Sequence, residues 1–292
     1  MFTAQDVKNL REKTGAGMMD CKKALEESNG NMDDAITWLR EKGISKAAKK
    51  AERIAAEGIT EGAADDNNAV IFEVNSETDF VAKNEEFQNL IKAMRKALIN
   101  ADVSTMEDAN ALHLESGETI EEAIINLTAK IGEKISFRRF ERVTKEDNQV
   151  FGIYSHMGGK ITSLVVLDGS DRDVAKDVAM HTAAMNPSYL NEAEVPSDVL
   201  ESEKNIMKEQ LLNEGKPEDK VEQILVGKVK KYYEEVCLEN QIYIKAENKE
   251  TVGKFVENNG MKLVKMIRYE VGEGIEKRND NFAEEVAAQI NG

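Results

Sequence analysis

Four groups of residues in this chain have chemistry to offer, and three of them fail on spacing. Gly158-Gly159-Lys160 has the ending of a phosphate-binding loop. Such a loop needs a glycine five positions before its last glycine and a Ser or Thr after the lysine, opening a helix. Tyr154 stands where the first glycine should be, Ile161 follows Lys160, and a strand-like run follows. His113, His156 and His181 show no paired metal-ligand spacing with one another or with Cys21 and Cys237. The 55 Asp and Glu residues fall mostly on solvated helix faces, so no acid–base pair stands out. No Gly-x-Ser-x-Gly nucleophile turn is present. The residues therefore predict no enzyme, no cofactor and no metal. The fourth group is Thr78-Asp79-Phe80-Val81, a large apolar ring beside a carboxylate. A Phe there either tucks into its own core or is held out to a partner.

The elements around it act as a mount. Ala69–Asn75 is apolar and β-branched and reads as a strand. Asn84 can cap a helix whose first turn carries Glu85 and Glu86. Phe87, Leu90, Ile91, Met94 and Leu98 then recur at helical spacing. Thr78–Lys83 is expected as a loop between these two elements.

The first 44 residues read as a separate unit of three short helices. Val7 and Leu10 share a face of a helix that Thr14-Gly-Ala-Gly17 must end. A second helix runs from about Met18 to Ser28, and Asn31 with Asp34 looks like the start of a third, which carries Ala35, Ile36, Trp38 and Leu39. The pattern resembles a ubiquitin-associated three-helix bundle. Met18 and Met19 at its glycine-rich turn are either core or an adaptable contact surface. The charged, Ala-rich stretch 45–57 could be helical from propensity alone, but it has little apolar face and reads as a linker.

The body reads as α+β. Further helices are expected at about 118–131 and 173–184, and strands at about 134–143, 149–154, 161–167 and 262–269. Another helix is expected at about 250–258. Asp173-Val-Ala-Lys176 echoes Phe80-Val-Ala-Lys83, which points to two similar α+β subdomains, at 58–145 and 146–279. An antiparallel helical hairpin is inserted at about 195–238. Its second helix carries Val221, Leu225, Val229, Tyr232 and Val236 as a stripe to bury on the body or against another chain. Asp280–Ile290 reads as a short C-terminal amphipathic helix in a module at 280–292.

Composition narrows the partner. A chain of 292 residues can hold two or three domains. Its net charge of −16 argues against direct nucleic-acid binding, which needs a basic face. Residues 1–54 hold 11 Lys/Arg against 9 Asp/Glu, and the remainder 28 against 46. A mildly basic head on an acidic body suits a protein partner. There is no 18-residue apolar run, secretion signal or Arg/Ser-rich transit segment, so the cytoplasm is the expected location and no membrane is involved. The two cysteines make no disulfide framework.

Leu10–Leu25, Glu73–Asn84 and Val271–Lys277 lie in order along the chain and are similar to three signatures of the bacterial elongation factor Ts family. The resemblance implies nucleotide exchange on the GTPase elongation factor Tu. Phe80 would wedge between helices of the GTPase domain, with Thr78, Asp79 and Val81 beside it, and so disturb the partner's Mg²⁺ site. The resemblance also matches partner contacts to Lys22, Ile131, Gly132 and His156. It implies that the hairpin is a coiled-coil arm used in assembly, with a homodimer or a two-plus-two complex to expect, and that the C-terminal helix grips the GTPase domain. Two rival classes are a non-catalytic module recognising ubiquitin-like surfaces and a nucleotide-using enzyme.

Overall fold

The fold is described from a computed structural model over residues 2–14 and 16–276. The expected C-terminal helix and Lys277 lie outside the described residues. The chain is mixed α and β, as the sequence indicated. It divides into two compact units. One comprises Met1–Glu61, Phe72–Glu141 and Glu270–Gly292, and the other comprises Gly62–Ile71 and Arg142–Tyr269.

The first unit begins with α1 (Ala4–Thr14), α2 (Met18–Glu27) and α3 (Met32–Ala48). Leu10, Cys21, Ala24, Leu25 and Ala35 are fully buried and form the bundle core, with Val7 beside them. Asn31 caps α3 by accepting from the Asp33 and Asp34 amides. The third helix does not stop near residue 44 but runs to Ala48. It packs on α7 (Ile120–Ile131), where Gly43 lies against Asn126 and Ala129. Tertiary packing thus carries a weakly amphipathic segment through as helix.

The strand β1 (Glu57–Ala64) was not foreseen; it precedes β2 (Asn68–Ser76) in a sheet of order β1-β2-β3, with β3 at Ile135–Thr144. Between β2 and β3 come α4 (Asp79–Ala82), α5 (Glu85–Asn100), α6 (Met106–Asn110) and α7. Asn84 caps α5 as expected, accepting from Glu86 and Phe87, and Phe87, Leu90, Ile91, Met94 and Leu98 are all buried. The segment Asp79–Ala82, expected as loop, is one turn of helix capped by the Thr78 hydroxyl.

The second unit repeats this order. β4 (Gln149–His156) pairs antiparallel with β5 (Ile161–Asp168), helices follow, and β6 (Lys262–Glu270) returns beside β5. The helices are α8 (Arg172–Met185), the hairpin pair α9 (Ser197–Asn213) and α10 (Glu218–Val236), and α11 (Val252–Asn258). Side chains alternate across β5. Val165 and Leu167 face a cluster with Val174 and Val178 of α8 and Val252 and Val256 of α11. Leu164 and Val166 face a second cluster with Ala69, Ile71, Val143, Ile267 and Tyr269. The short sequence echo now has a place. Asp171 caps α8 directly after β5 as Thr78 caps α4 after β2, and the echoed pairs Val81-Ala82 and Val174-Ala175 are all buried.

Of the apolar stripe on α10, Val221 is buried with Leu211 near the tip, and the rest is half-buried. At the base of the hairpin, His181 of α8 is fully buried. The Ile244 amide donates to its Nδ1 at 3.1 Å, so the ring's own proton sits on Nε2 and is donated to Gln241 Oε1 at 2.9 Å. Gln241 Nε2 in turn donates to the Glu235 carbonyl at 2.8 Å. Met185, at the end of α8, is exposed. Both cysteines are free and buried, and burial pushes the Cys237 thiol up to about 11. Among the described residues no helix is long and apolar enough to cross a membrane.

Burial lowers the pKa of His181 below its ordinary 6.5, against a smaller opposing effect of Gln241. A site that holds histidine neutral is fully stabilising above the unfolded value and loses that contribution as pH falls below about 6.5. The urea midpoint should therefore drop between pH 7.5 and pH 5.5. His181→Gln should lower the midpoint at pH 7.5 and flatten this drop; an equal drop in the variant would show that other groups cause it.

Candidate functional site

The turn that carries Phe80 is tied down on both sides. It begins where β2 ends, and the Ser76 hydroxyl donates to the Thr78 carbonyl at 2.9 Å. A helix of four residues has too few internal bonds to stand alone. The Thr78 hydroxyl therefore accepts the Val81 amide, and Asp79 takes the ammonium of Lys83 at 2.7 Å. Val81 and Ala82 turn inward and are buried. Phe80 turns outward and is 80 % exposed. That exposure settles the alternative left open by the sequence: the ring does not belong to its own core.

The residues Ile131 and Gly132 are held to this turn. α7 ends at Gly132, whose φ of +89° is left-handed and whose amide closes on the Thr128 carbonyl. Any residue with a Cβ would be strained there. The chain that leaves Gly132 is Glu133-Lys134. The Glu133 carboxylate accepts the Thr78 amide at 3.0 Å and the Thr78 hydroxyl at 2.8 Å. In return the Glu77 carboxylate accepts the Lys134 amide at 2.6 Å. Lys50 donates to the Gly132 carbonyl at 2.7 Å, and Lys134 to the Arg53 carbonyl at 2.9 Å. Glu77 and Glu133 were not identified from sequence. Their partners stand more than fifty positions away, and no local pattern marks them.

On the bundle, Met18 is 56 % and Met19 75 % exposed, so neither is core. They open α2 directly after Gly17. Lys22 is exposed on the same helix, 3.7 Å from Glu26. In the other unit, His156 ends β4 and is exposed, with its ring stacked on Tyr154 at 6.0 Å between centroids. The next residue, Met157, is exposed and has a left-handed φ of +50°.

One charged group in this region is fully buried. Glu73 sits in the middle of β2 with no exposure. Its carboxylate takes Arg139 Nε at 2.6 Å, Arg138 at 3.1 Å, the Asn75 amide at 2.9 Å and the Gly272 backbone amide at 2.8 Å. Gly272 has a φ of +73°, and a Cβ there would fall 2.2 Å from the Ala56 carbonyl oxygen. Burial works against the ionised form of Glu73, but the bonds from Gly272, Asn75 and Arg139 outweigh it and hold the carboxyl below its ordinary range. A lone carboxylate inside the apolar run Ala69–Val74 was the signal in the sequence for this cluster.

Among the described residues no group of three or more His, Cys, Asp or Glu could hold a metal ion.

The turn tied down by Glu73 is expected to be essential to the fold. Glu73→Gln should cost roughly 3 kcal/mol or more in denaturant unfolding, because Arg138 loses its carboxylate partner and Arg139 keeps Glu273 but loses Glu73. The depressed Glu73 pKa adds stability that is present above the ordinary value of 4.5 and is lost as pH falls below it. The acid limb of the stability curve should accordingly be shallower in the variant; an unchanged limb would show that Glu73 contributes nothing to it.

A family model described as elongation factor TS matches residues 77–273. The match begins at the Glu77–Val81 turn and ends one residue past Gly272, covering about two thirds of the chain. The chain therefore belongs to the elongation factor Ts family, the nucleotide-exchange factors of elongation factor Tu.

Proposed function

We propose that this chain speeds GDP release from elongation factor Tu by wedging Phe80 between helices of the partner's GTPase domain. The observation that supports this most is the ring's 80 % exposure on a turn fixed by its neighbours. A rigid mount loses little conformational entropy when the ring is buried by a partner. Thr78 and Asp79 hold the displaced geometry, and Val81 anchors the turn from beneath. The partner's Mg²⁺ loses its arrangement of ligands, GDP leaves and GTP can rebind. That ion belongs to the partner's site, and this chain contributes no reaction of its own.

Linkage sets what the surface must supply. A factor that binds the empty GTPase more tightly weakens nucleotide binding by the same ratio. A ten-thousand-fold effect corresponds to about 5.5 kcal/mol. Burying one Phe gives about 2–3 kcal/mol. Further contacts are therefore required. Met18, Met19 and Lys22 on the bundle, Ile131 and Gly132 at the end of α7, and His156 beyond β4 are the residues we assign to them.

The bundle at 1–44, with its linker at 45–57, serves as the first grip, and the subdomains at 58–145 and 146–279 carry the wedge and the His156 turn. The hairpin at 195–238 is the arm for assembly, as a homodimer or in a two-plus-two complex, and the setting is the cytoplasm.

Release of a fluorescent GDP from elongation factor Tu, followed with substoichiometric chain, tests the reading. Native chain should turn over many partners. Phe80→Ala should lose roughly thirty- to a hundredfold of the acceleration, as expected for a lost buried ring, with an unchanged melting temperature. A native chain without effect, or a fully active Phe80→Ala, would overturn it.

A further inference from the structure

We propose that Glu133 is a positioning residue for nucleotide exchange, completing from a distant element the cap that holds the Phe80 turn. This rests on the exchange reading above, and it concerns a residue with no part in the expected contact surface.

A helix N-terminus is best closed by two reciprocal bonds. The capping side chain accepts an amide in the first turn, and the third residue of the helix accepts the amide of the capping residue. The helix α7 shows the complete arrangement within one segment, with Thr119 accepting from Glu122 and Glu122 accepting from Thr119. In α4 the first half is present: the Thr78 hydroxyl accepts the Val81 amide at 3.4 Å. The second half is impossible locally, because the third residue is Val81 and has no acceptor. Glu133 takes that place. Its Oε2 accepts the Thr78 amide at 3.0 Å, and its carboxylate also accepts the Thr78 hydroxyl. The bond crosses 55 positions of sequence.

The arrangement is reciprocal at the level of the two turns. Glu77 reaches back to accept the Lys134 amide at 2.6 Å. Two adjacent residues of one turn thus exchange carboxylate-to-backbone bonds with two adjacent residues of the other. Gly132 makes this possible, since its left-handed φ reverses the chain after α7 and brings Glu133 against Thr78. Carboxylate-to-amide bonds of this kind are charge-assisted and directional. The consequence is that the Phe80 ring and the Ile131–Gly132 corner move as one body. Loss of Glu133 would leave the four-residue turn with half a cap and free the ring to swing. A displacement of about 1 Å in a group that must enter a fitted site can cost on the order of a hundredfold in rate.

The test is a double-mutant cycle between Glu133→Ala and Phe80→Ala, reading fluorescent GDP release from elongation factor Tu at saturating chain. The native chain in the same assay establishes whether exchange occurs at all, so failure of the exchange reading is separate from failure of this one. Given native exchange, Glu133→Ala should lower the maximal rate by roughly tenfold or more and leave the half-saturating concentration of chain nearly unchanged. In the Phe80→Ala background the same substitution should have almost no further effect. Glu133→Gln, whose side-chain oxygen can still accept the Thr78 amide, should recover most of the rate. An unaltered rate in Glu133→Ala would overturn the proposal, as would an equal fractional loss with and without Phe80. Should Glu133→Ala fail to fold, Glu133→Asp carries the same cycle, since it keeps the charge but withdraws it by one methylene.

Discussion

A single carboxylate buried in a strand governs how the first unit is put together. Glu73 lies in a stretch of β2 that is buried on both faces, and an unpaired charge there would be prohibitive. Its oxygens are saturated by Arg138 and Arg139 of β3 and by the Gly272 amide. The pairing fixes the register of β3 against β2, since both guanidinium groups must reach one point. It also anchors the turn after β6 to the same point. Arg139 extends the cluster to Glu273 at 3.2 Å. Three stretches of chain far apart in sequence are therefore joined at one residue.

Beyond that cluster, at the end of β2, the molecule does the opposite with an apolar group. Phe72 and Phe137 bury their rings edge to face at 6.2 Å. Eight residues after Phe72, Phe80 is left almost wholly in water. The difference lies in the mount. A strand interior offers two faces that are both covered, whereas a single helical turn has an inner side filled by Val81 and Ala82 and an outer side left open. The polar bonds around Thr78, Glu77 and Glu133 secure the turn without drawing on the ring for packing. Fold and exposed group are thereby separated, so the ring can stay in water at little cost to the packing around it.

Much of this was legible in the sequence because it depends on local rules. Caps at Asn31 and Asn84, the buried face of α5 and the glycine stops of the bundle all follow from side chains acting on their own backbone. The unforeseen strand Glu57–Ala64 contains two glycines and little apolar alternation; it forms because β2 offers it a partner. The five residues of α6 are too short for periodicity and rest on the Thr105 cap. The extension of α3 likewise depends on α7. The placement of Phe80 could not be read, because a four-residue turn has no period from which to infer a face. Glu133 was invisible for a stronger reason. Its role exists only once Gly132 has turned the chain toward Thr78, and neither residue alone signals it. Glu73, by contrast, left a signal that the reading of Ala69–Asn75 as a plain apolar strand passed over, a charge inside that strand.

The 199 positions between Glu73 and Gly272 also order events during synthesis. A ribosome adding roughly 5–20 residues each second needs on the order of 10–40 s to pass from one to the other. From the point at which β3 has been made, the nascent first unit has its strands, its helices and both arginines, but it still lacks the amide that completes the Glu73 shell. The whole stretch from Arg142 to Tyr269 emerges in between and can organise around one cluster of its own and a second that it completes with Ala69 and Ile71. The first unit thus starts first and closes last. A chain cut short between the end of β3 and Gly272 would carry an incompletely satisfied buried charge, a chemical mark by which an unfinished copy differs from a finished one.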